Sequence, residues 1–373
     1  MPQFTVKATD FRILEQLEWR PEGVCLLAGP NGAGKTTVLD VLLFLRALWD
    51  SGHEAALNAV GGTHLQRIGA EADQPVKLEV RIDDIVWRLR FPMSGGGLAG
   101  TFGEELLRGG QVVLRAAMFD EGWYLGAERQ ERDERRCCAR VLWDKGESPW
   151  MKPLVDALTS FRIYKAYQLD NVKQGSGRKV LRRHLHSSGS NLWSLLDNWS
   201  SSPQRSGGRF DWVMAQARAA FPGVFERVEF DMGLPFILKP GMTDPADGLP
   251  PDRAADGLLT GLLHLTAVAG APTGSIVAID EMENQLHPHA IRALIGAMRE
   301  RAEAEDLTVI LTTHSPVVMN EFKGDEESFF VLDPTVQRPM PVPLEEHRDA
   351  AWLSHFALGD LYERSAIAAP KQS

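Results

Sequence analysis

The stretch that decides the fold reads Gly29-Pro30-Asn31-Gly32-Ala33-Gly34-Lys35-Thr36-Thr37. It fits the pattern G-x-x-x-x-G-K-[ST] of a phosphate-binding loop. The apolar run from Val24 to Ala28 precedes it, and this run is too short for a helix and typical of a strand buried on both faces. Apolar residues at helical spacing follow from Val38 to Trp49, just before Gly52. Strand, loop and helix therefore stand in the order that the motif requires.

Each residue type in this loop has a chemical task. The glycines let consecutive backbone N–H groups turn toward phosphate oxygens, and the positive end of the following helix adds to the attraction. The Lys35 ammonium can neutralise the β and γ phosphates of a nucleotide, and the Thr36 hydroxyl can ligate Mg²⁺. The residues predicted to contact the nucleotide here are Asn31, Gly32, Ala33, Gly34, Lys35, Thr36 and Thr37.

A phosphate-binding loop needs an acidic partner for the metal, and the far end of the chain offers one. Residues 275–281 read as an apolar strand that ends in Asp280, placed to bind Mg²⁺, and Glu281, placed to polarise an attacking water. A further strand at 307–313 ends in His314, which can reach the γ-phosphate at the switch point of a sheet. The predicted catalytic residues are Lys35, Glu281 and His314, and the predicted metal ligands are Thr36 and Asp280.

These segments resemble the motifs of one family. Residues 29–37 resemble the Walker A motif of ABC-type ATPases, 276–281 their Walker B motif, 283–288 the D-loop and 313–316 the switch-histidine loop. The long separation of the two Walker motifs resembles the branch that contains SMC proteins, RecF and the overcoming-lysogenization-defect (OLD) ATPases. The similarity covers residues 1–50 and 250–365.

The resemblance implies an α/β fold, namely a P-loop NTPase with the mixed sheet of ABC ATPases, an antiparallel β lobe and a helical lobe. We expect one ATPase domain built from residues 1–75 and 250–373, with the two lobes inserted at 76–249. The resemblance also implies that ATP and Mg²⁺ bind, that ATP is hydrolysed, and that two copies form a homodimer around ATP. It implies a role in DNA repair or anti-phage defence. Too few residues follow His314 for the nuclease domain of OLD enzymes, so a nuclease or other effector is expected to be a separate protein.

One motif departs from the family pattern. ABC ATPases carry a Leu-Ser-Gly-Gly or Leu-Ser-Asp-Gly signature that opens a helix facing the γ-phosphate of the other copy. The matching stretch here is 253–257, where Asp256 and Gly257 remain predicted nucleotide contacts but Ala255 stands in place of serine. A hydrogen bond to a charged group contributes about 1.5–3 kcal/mol. We therefore expect weaker ATP-driven pairing, or slower turnover, than the family pattern implies.

The middle of the chain gives fewer signals. Apolar and polar residues alternate in residues 76–118, which predicts antiparallel strands, and residues 128–140 are predicted to be an exposed helix or mobile loop. Because no heptad pattern is sustained in this interval, we expect no long coiled coil. On an expected strand at 161–169, Gln168 is a positional candidate for the family's metal-sensing glutamine, and Gln174 is the other candidate. The basic cluster from Lys173 to Arg183 could bind the phosphate backbone of DNA, although a solvated helix face explains it equally well.

Composition limits the class of protein. The 373 residues are 44% hydrophobic and 24% charged, which excludes a disordered or fibrous chain. With 40 basic and 50 acidic residues the formal charge is −10, so any nucleic-acid contact must come from a local patch. No apolar run reaches the ~20 residues of a membrane span, so we expect no membrane partner. Cys25, Cys137 and Cys138 form no disulfide framework, which predicts a reducing, cytoplasmic setting.

Two other functions fit the same motifs. One is a RecF-like protein in which ATP gates DNA binding directly. The other is a nucleotide-loaded scaffold with negligible turnover, which Ala255 makes conceivable. A transporter subunit fits least well, because its two Walker motifs lie much closer together in sequence.

Overall fold

The computed structural model describes residues 4–62, 64–133, 135–175, 184–333, 340–347, 353, 355 and 357–363. The chain divides into two compact units. The first unit comprises Met1–Glu22, Leu27–Phe161 and Phe330–His347, and the second comprises Gly23–Leu26, Arg162–Phe329 and Arg348–Ser373. The division passes through β3 (Val24–Ala28) and β17 (Phe329–Val331), so each unit holds part of these strands.

Strands dominate the first unit. Its other strands are β1 (Phe4–Phe11), β2 (Leu14–Trp19), β4 (Val76–Ile82), β5 (Ile85–Phe91), β6 (Met93–Ser94), β7 (Gly97–Leu98), β8 (Gly103–Arg108), β9 (Gln111–Ala116), β10 (Gly122–Leu125), β11 (Glu128–Glu131) and β18 (Val342–Pro343). Its helices are α1 (Lys35–Ser51), α2 (His53–Ala59), α3 (Cys138–Asp144), α4 (Lys152–Ser160) and α12 (Leu344–His347).

Eight of these strands form one antiparallel sheet in the order β11-β10-β9-β8-β5-β4-β1-β2. The predicted antiparallel lobe is therefore confirmed, but β1 pairs with β4, so a boundary at residue 75 divides strands of a single sheet. Side chains of the sheet pack on α1, where Trp87 of β5 meets Trp49 edge to face at 5.9 Å between ring centroids. Alternation of apolar and polar residues is what places one face of this sheet in the core.

The segment 128–140 differs from the prediction. Its first residues form strand β11, and its last residues begin helix α3. Cys137 and Cys138, at the start of this helix, are buried. The reason is a buried carboxylate: Glu104 of β8 accepts hydrogen bonds from the backbone N–H groups of Cys138 (2.6 Å) and Ala139 (2.9 Å). It also accepts one from Trp87 Nε1 (2.8 Å). Glu104 thereby caps α3 from the sheet, and burial raises the pKa of both thiols, which keeps them protonated.

A ladder of alternating charges crosses the solvent face of this sheet. Five consecutive strand pairs place opposite charges side by side, in the order Glu18, Lys7, Glu79, Arg88, Glu105 and Arg115. The neighbouring row breaks the pattern, because Lys77 lies directly opposite Arg90. Among the residues that the structure describes, neither of these two cations has an ion-pair partner. Like charges placed in this way weaken a sheet.

The second unit alternates strands and helices. Its other strands are β12 (Arg162–Tyr164), β13 (Arg227–Asp231), β14 (Leu234–Leu238), β15 (Ile276–Ile279) and β16 (Thr308–Thr313). Its helices are α5 (Leu169–Gln174), α6 (Leu192–Ser201), α7 (Pro203–Ser206), α8 (Arg209–Ala220), α9 (Asp256–Ala269), α10 (Pro288–Glu305), α11 (Pro316–Asn320) and α13 (Leu358–Glu363). Four strands of the six-stranded sheet lie in the order β12-β15-β16-β3, where β12, β15 and β16 are parallel, and β13 and β14 form a separate two-stranded sheet.

The central strands of this sheet are buried along their whole length. All residues of β15 and β16 are buried, which is typical of a sheet covered on both faces. The predicted strands at 24–28, 275–281 and 307–313 and the helix after the loop are thus confirmed within one or two residues. The longest helix of the described chain, α10, has 18 residues, in agreement with the absence of a heptad repeat. Of the helices described, none combines the length and the apolar content that crossing a membrane requires.

The predicted strand at 161–169 is wrong in its second half. Strand β12 ends at Tyr164, and the backbone N–H of Gln168 donates to Ser188 O (2.9 Å) just before α5 begins. Val172, fully buried, is the inward residue of this short helix. Leu169 and Val172 are three residues apart, a helical spacing that the strand prediction overlooked.

Candidate functional site

The phosphate-binding loop joins β3 to α1 in the first unit. Gly32 and Gly34 have left-handed backbone, with φ of 82° and 106°, and α1 begins directly after Gly34. This geometry is the one that a turn of consecutive N–H groups needs. Of the other loop residues predicted to contact a nucleotide, the exposed ones are Asn31 and Thr36, and the buried ones are Ala33, Lys35 and Thr37.

The Lys35 side chain lies within this loop. Its Nζ donates to the carbonyl oxygens of Gly29 (2.8 Å) and Pro30 (3.2 Å), and the residue is only 7% exposed. The loop therefore holds a desolvated cation beside the N terminus of α1. Both are sources of positive potential, and together they suit a polyphosphate.

The carboxyl ends of three parallel strands meet in the second unit. Asp280 follows β15, and its N–H donates to Tyr164 O at the end of β12 (2.9 Å). His314 follows β16, the next strand along. The structure thus brings Asp280, Glu281 and His314 to one edge of the sheet, as the sequence predicted.

Thr312 connects the two acidic residues. This fully buried threonine of β16 donates its hydroxyl hydrogen to Asp280 Oδ1 and accepts from the N–H of Glu281 (2.8 Å). One hydroxyl can do both because it is donor and acceptor at once. Thr312 therefore fixes the Asp280 carboxylate and the direction in which the chain leaves β15. Sequence reasoning missed it, although two threonines at the end of an apolar strand are a usable signal.

Glu281 has an uncommon backbone conformation. Its φ is 48°, in the left-handed region that residues other than glycine rarely occupy, at a cost of about 1 kcal/mol. Its side chain is 43% exposed, and Oε2 accepts from Asn284 Nδ2 (3.1 Å). The turn after β15 therefore leaves this carboxylate partly in solvent, close to the exposed His314.

His314 faces two carboxylates. Its Nδ1 lies 3.4 Å from Glu283 Oε1 and 3.8 Å from Glu281 Oε1. Glu283 was expected only as part of the D-loop segment, without a role of its own. The structure shows that it contacts the switch-histidine loop more closely than Glu281 does.

A buried histidine supports the turn from behind. His264 of α9 places Nε2 3.1 Å from Met282 O and Nδ1 3.2 Å from the Tyr167 hydroxyl. Because a carbonyl can only accept, Nε2 carries the hydrogen and Nδ1 accepts from Tyr167. Burial lowers the pKa of His264 to about 4, so the ring is neutral near pH 7. Neither residue was predicted, since a lone histidine in an apolar helix gives no motif.

A small cavity of about 150 Å³ lies beside the acidic pair. Lys165, Tyr167 and Thr260 line it together with Asp280 and Glu281. It brings a lysine next to two carboxylates and has room for ordered water. Lys165 was missed because it stands in the turn after β12, outside any recognisable motif.

The signature segment opens α9, as predicted. Ala255 is the N-cap and makes no side-chain capping hydrogen bond. Asp256 pairs with Lys173, with 2.5 Å between Oδ1 and Nζ. Gly257 lies against the turn after Glu281, since a Cβ at this position would be 2.5 Å from Gln285 O. The start of α9 is therefore packed on the same turn that carries the acidic pair.

Two other predictions concern the region around α5. Gln168 lies just before α5 and is exposed, and its Oε1 accepts from Asn171 Nδ2 (2.5 Å). It follows β12 at the same sheet edge as Asp280, whereas Gln174 is the last residue of α5. Lys173 of the basic cluster is engaged with Asp256. The other basic residues of the cluster, which lie outside the described residues, are Arg178, Lys179, Arg182 and Arg183.

The donor set fits magnesium better than a transition metal. The predicted ligands are a hydroxyl and a carboxylate, and Mg²⁺ is held by one or two such oxygens together with substrate phosphates and water. Within the described part of the chain, no group of three or more histidine, cysteine or acidic side chains is arranged to hold a metal. A magnesium–nucleotide site needs no such group.

A family model described as "AAA domain, putative AbiEii toxin, Type IV TA system" matches residues 24–120 and 168–320, more than half of the chain. The chain belongs to this AAA family. Comparison with curated proteins gives no significant match. The matched segments of the AAA domain contain the phosphate-binding loop, the acidic pair and the switch-histidine loop.

Solved structures show the fold of this AAA domain. An SMC head bound to the C-winged helix domain of ScpA is 13% identical, covers 93% of this chain and 100% of its own, and has a TM-score of 0.56. The Pyrococcus furiosus Smc head with an extended coiled coil, bound to the C-terminal domain of ScpA, is 12% identical, covers 93% of this chain and 98% of its own, and has a TM-score of 0.52. The fold is thus that of an SMC-head, ABC-type ATPase domain, as predicted.

Proposed function

We propose that this AAA domain binds and hydrolyses ATP and works as a nucleotide-driven switch, in which two copies close around ATP and hydrolysis separates them. The observation that carries the proposal is the turn at Glu281. A left-handed, non-glycine residue is held in place by Thr312 and Asn284, directly after a carboxylate suited to Mg²⁺. Strain of this kind gathers at functional sites.

In the proposed reaction each residue has one task. Lys35 and the amides of the loop 29–37 hold the phosphates, while Thr36 and Asp280 would hold Mg²⁺. Bound Mg²⁺ offsets the negative charge of the phosphates. Glu281 orients the attacking water and accepts its proton, and His314 senses the γ-phosphate.

The homodimer is proposed from the start of α9. In the proposed arrangement Asp256 and Gly257 face the phosphates bound by the other copy, and the helix N terminus attracts them. Ala255 supplies no hydroxyl to this contact. We therefore propose a weaker ATP-bound dimer, or a slower turnover, than a serine at this position would give.

The cellular role is proposed from the family. Its description names a toxin of a type IV toxin–antitoxin system, which favours defence over DNA repair for this chain. The SMC heads of similar fold were solved with ScpA, which supports a separate effector protein, a nuclease being one candidate. Action on DNA through residues 173–183 is part of the proposal. So is a cytoplasmic location, in keeping with three buried free thiols.

Phosphate release tests the proposal. We expect Mg²⁺-dependent ATP hydrolysis by the parent, a loss of about 100-fold or more in Glu281→Gln, and retained ATP binding in that variant. Glu303→Gln, at an exposed position of α10, is the matched control and should keep the parent rate. Light scattering should show a dimer with ATP in Glu281→Gln. A parent that neither binds nor hydrolyses ATP would overturn the proposal.

Ala255 favours a second candidate, the nucleotide-loaded scaffold. In that case parent and Glu281→Gln release phosphate equally slowly while both bind ATP. The RecF-like alternative predicts ATP-dependent binding of duplex DNA by the isolated chain, and loss of this binding on charge reversal of Arg182 and Arg183.

A further inference from the structure

One carboxylate next to the acidic pair has no task in the reaction proposed above. Glu283 Oε1 accepts hydrogen bonds from Thr313 Oγ1 (2.9 Å) and from the backbone N–H of His314 (3.0 Å). The same oxygen lies 3.4 Å from His314 Nδ1. A single oxygen thus contacts the end of β16, the loop backbone and the imidazole.

These contacts fix which ring nitrogen carries the hydrogen. An ionised carboxylate can only accept, so the contact favours a hydrogen on Nδ1 of His314. In the neutral ring Nε2 is then the unprotonated nitrogen, and it lies on the far side of the imidazole from Glu283. Histidines at functional sites are commonly oriented through the second nitrogen in this way.

Glu281 competes less well for the same imidazole. Its Oε1 is 3.8 Å from His314 Nδ1 and its side chain is 43% exposed, whereas the Glu283 side chain is 10% exposed. A nearer charge in a less polar setting interacts more strongly. Asn284 also holds the other oxygen of Glu281. The two carboxylates are therefore separated in role, Glu283 toward the histidine and Glu281 toward solvent.

The surroundings of Glu283 argue against a merely structural role. Its Oε2 is buried and makes no hydrogen bond among the described residues, which costs stability that a simple loop anchor would not need to give up. On α13, burial together with the charge of Glu283 raises the pKa of Tyr362. The carboxylate therefore sits in a poorly solvated place, where its charge acts strongly on neighbouring groups.

We propose that Glu283 is the positioning residue of His314: it holds the switch-histidine loop and sets the Nδ1–H tautomer, which leaves Nε2 on the side of the ring that faces away from Glu283. This inference rests on the proposed function, in which His314 acts on the γ-phosphate. It assigns to the segment after the acidic pair a task separate from that of Glu281.

The test compares Glu283→Gln with Glu303→Gln, a matched substitution at an exposed position of α10. Long-range nitrogen–proton NMR of the full chain labelled with ¹⁵N-histidine reports the tautomer without nucleotide, and His314→Gln assigns the signal. We expect Nδ1–H in the parent and in Glu303→Gln. In Glu283→Gln the neutral amide oxygen accepts less strongly than the carboxylate that it replaces, so we expect a shift toward Nε2–H.

Turnover gives the second readout. Glu283→Gln should bind ATP as the parent does but hydrolyse it about tenfold or more slowly. A parent with Nε2–H, or a variant with an unchanged tautomer, would overturn the inference even if the parent is an active ATPase. If the parent shows no ATPase activity, the proposed function fails, while the NMR result still decides the tautomer. Thermal melting of each variant separates a local effect from unfolding.

Discussion

His264 Nε2 donates a hydrogen bond to the carbonyl oxygen of Met282, 3.1 Å away. Met282 directly follows Glu281, so a buried neutral imidazole supports the turn that carries the acidic pair. This bond requires a hydrogen on Nε2. The Tyr167 hydroxyl favours that tautomer, because it donates to Nδ1 on the other side of the ring. The core of α9 and the candidate site are therefore linked by one side chain.

This link predicts a pH dependence of stability. Burial lowers the pKa of His264 to about 4 from its ordinary 6.5, so between these values the unfolded chain binds a proton that the folded chain does not. The contribution of the neutral His264 to the free energy of unfolding is complete above pH 6.5. About 3 kcal/mol of it is lost as the pH falls toward 4. His264→Gln keeps a donor and an acceptor but does not titrate. Its unfolding free energy, from urea titrations, should fall less steeply over this range.

The matched control for that experiment is His289→Gln, at an exposed position of α10. It should keep the parent slope between pH 6.5 and 4. Equal slopes in the parent and His264→Gln would show that His264 is not held neutral in the folded chain.

The missing cap of α9 predicts a stabilising substitution. Ala255 is exposed and has the extended backbone of an N-cap, with φ of −66° and ψ of 139°. A threonine can cap from this position, and a cap contributes about 1 kcal/mol. Ala255→Thr should therefore raise the urea midpoint, while Ala255→Val, which has the same shape without the hydroxyl, should not. If the two variants melt alike, the cap is not formed.

The contact between α11 and α13 predicts a local effect on the switch-histidine loop. The N–H of Gly359 donates to Asn320 Oδ1 (2.8 Å), and a Cβ on Gly359 would lie 2.5 Å from Pro316 Cβ. Since α11 is a single short helix that depends on packing, Gly359→Val should speed amide exchange in residues 317–320. Gly296→Ala, where an added Cβ meets open space in α10, should leave it unchanged.

If the amides of α11 exchange as slowly in Gly359→Val as in the parent, α13 does not support this helix. Asn320→Ala gives an independent version of the test. It removes the acceptor without a clash and should speed exchange to a smaller extent.

The charge ladder predicts opposite effects for one kind of substitution. Lys77→Glu places an acid opposite Arg90 and should stabilise the sheet by about 0.2–1 kcal/mol. Lys7→Glu places an acid between Glu18 and Glu79 and should destabilise it by a similar amount. Urea titration of both variants measures the difference. Changes of the same sign in the two variants would show that the charge ladder does not contribute to the stability of the sheet.

Much of the site could be predicted because its motifs are local. The loop 29–37 and the helix after it depend on glycines, a lysine and a helical repeat within a few residues. Asp280, Glu281 and His314 could be placed because each directly follows an apolar strand, and parallel strands bring their ends together. The strand around Gln168 was extended too far, because a short apolar run suits a strand or a helix equally well.

The chain order alone therefore determined the phosphate-binding loop, the buried strands and the acidic pair, because each is written in consecutive residues. The roles of Thr312, His264 and Glu283 were decided only by the tertiary structure. Each of them acts on a partner 18 to 32 residues away, through a hydrogen bond that forms only when separate elements pack. Buried polar groups must find partners, and which partners they find depends on the packing, not on their neighbours in sequence.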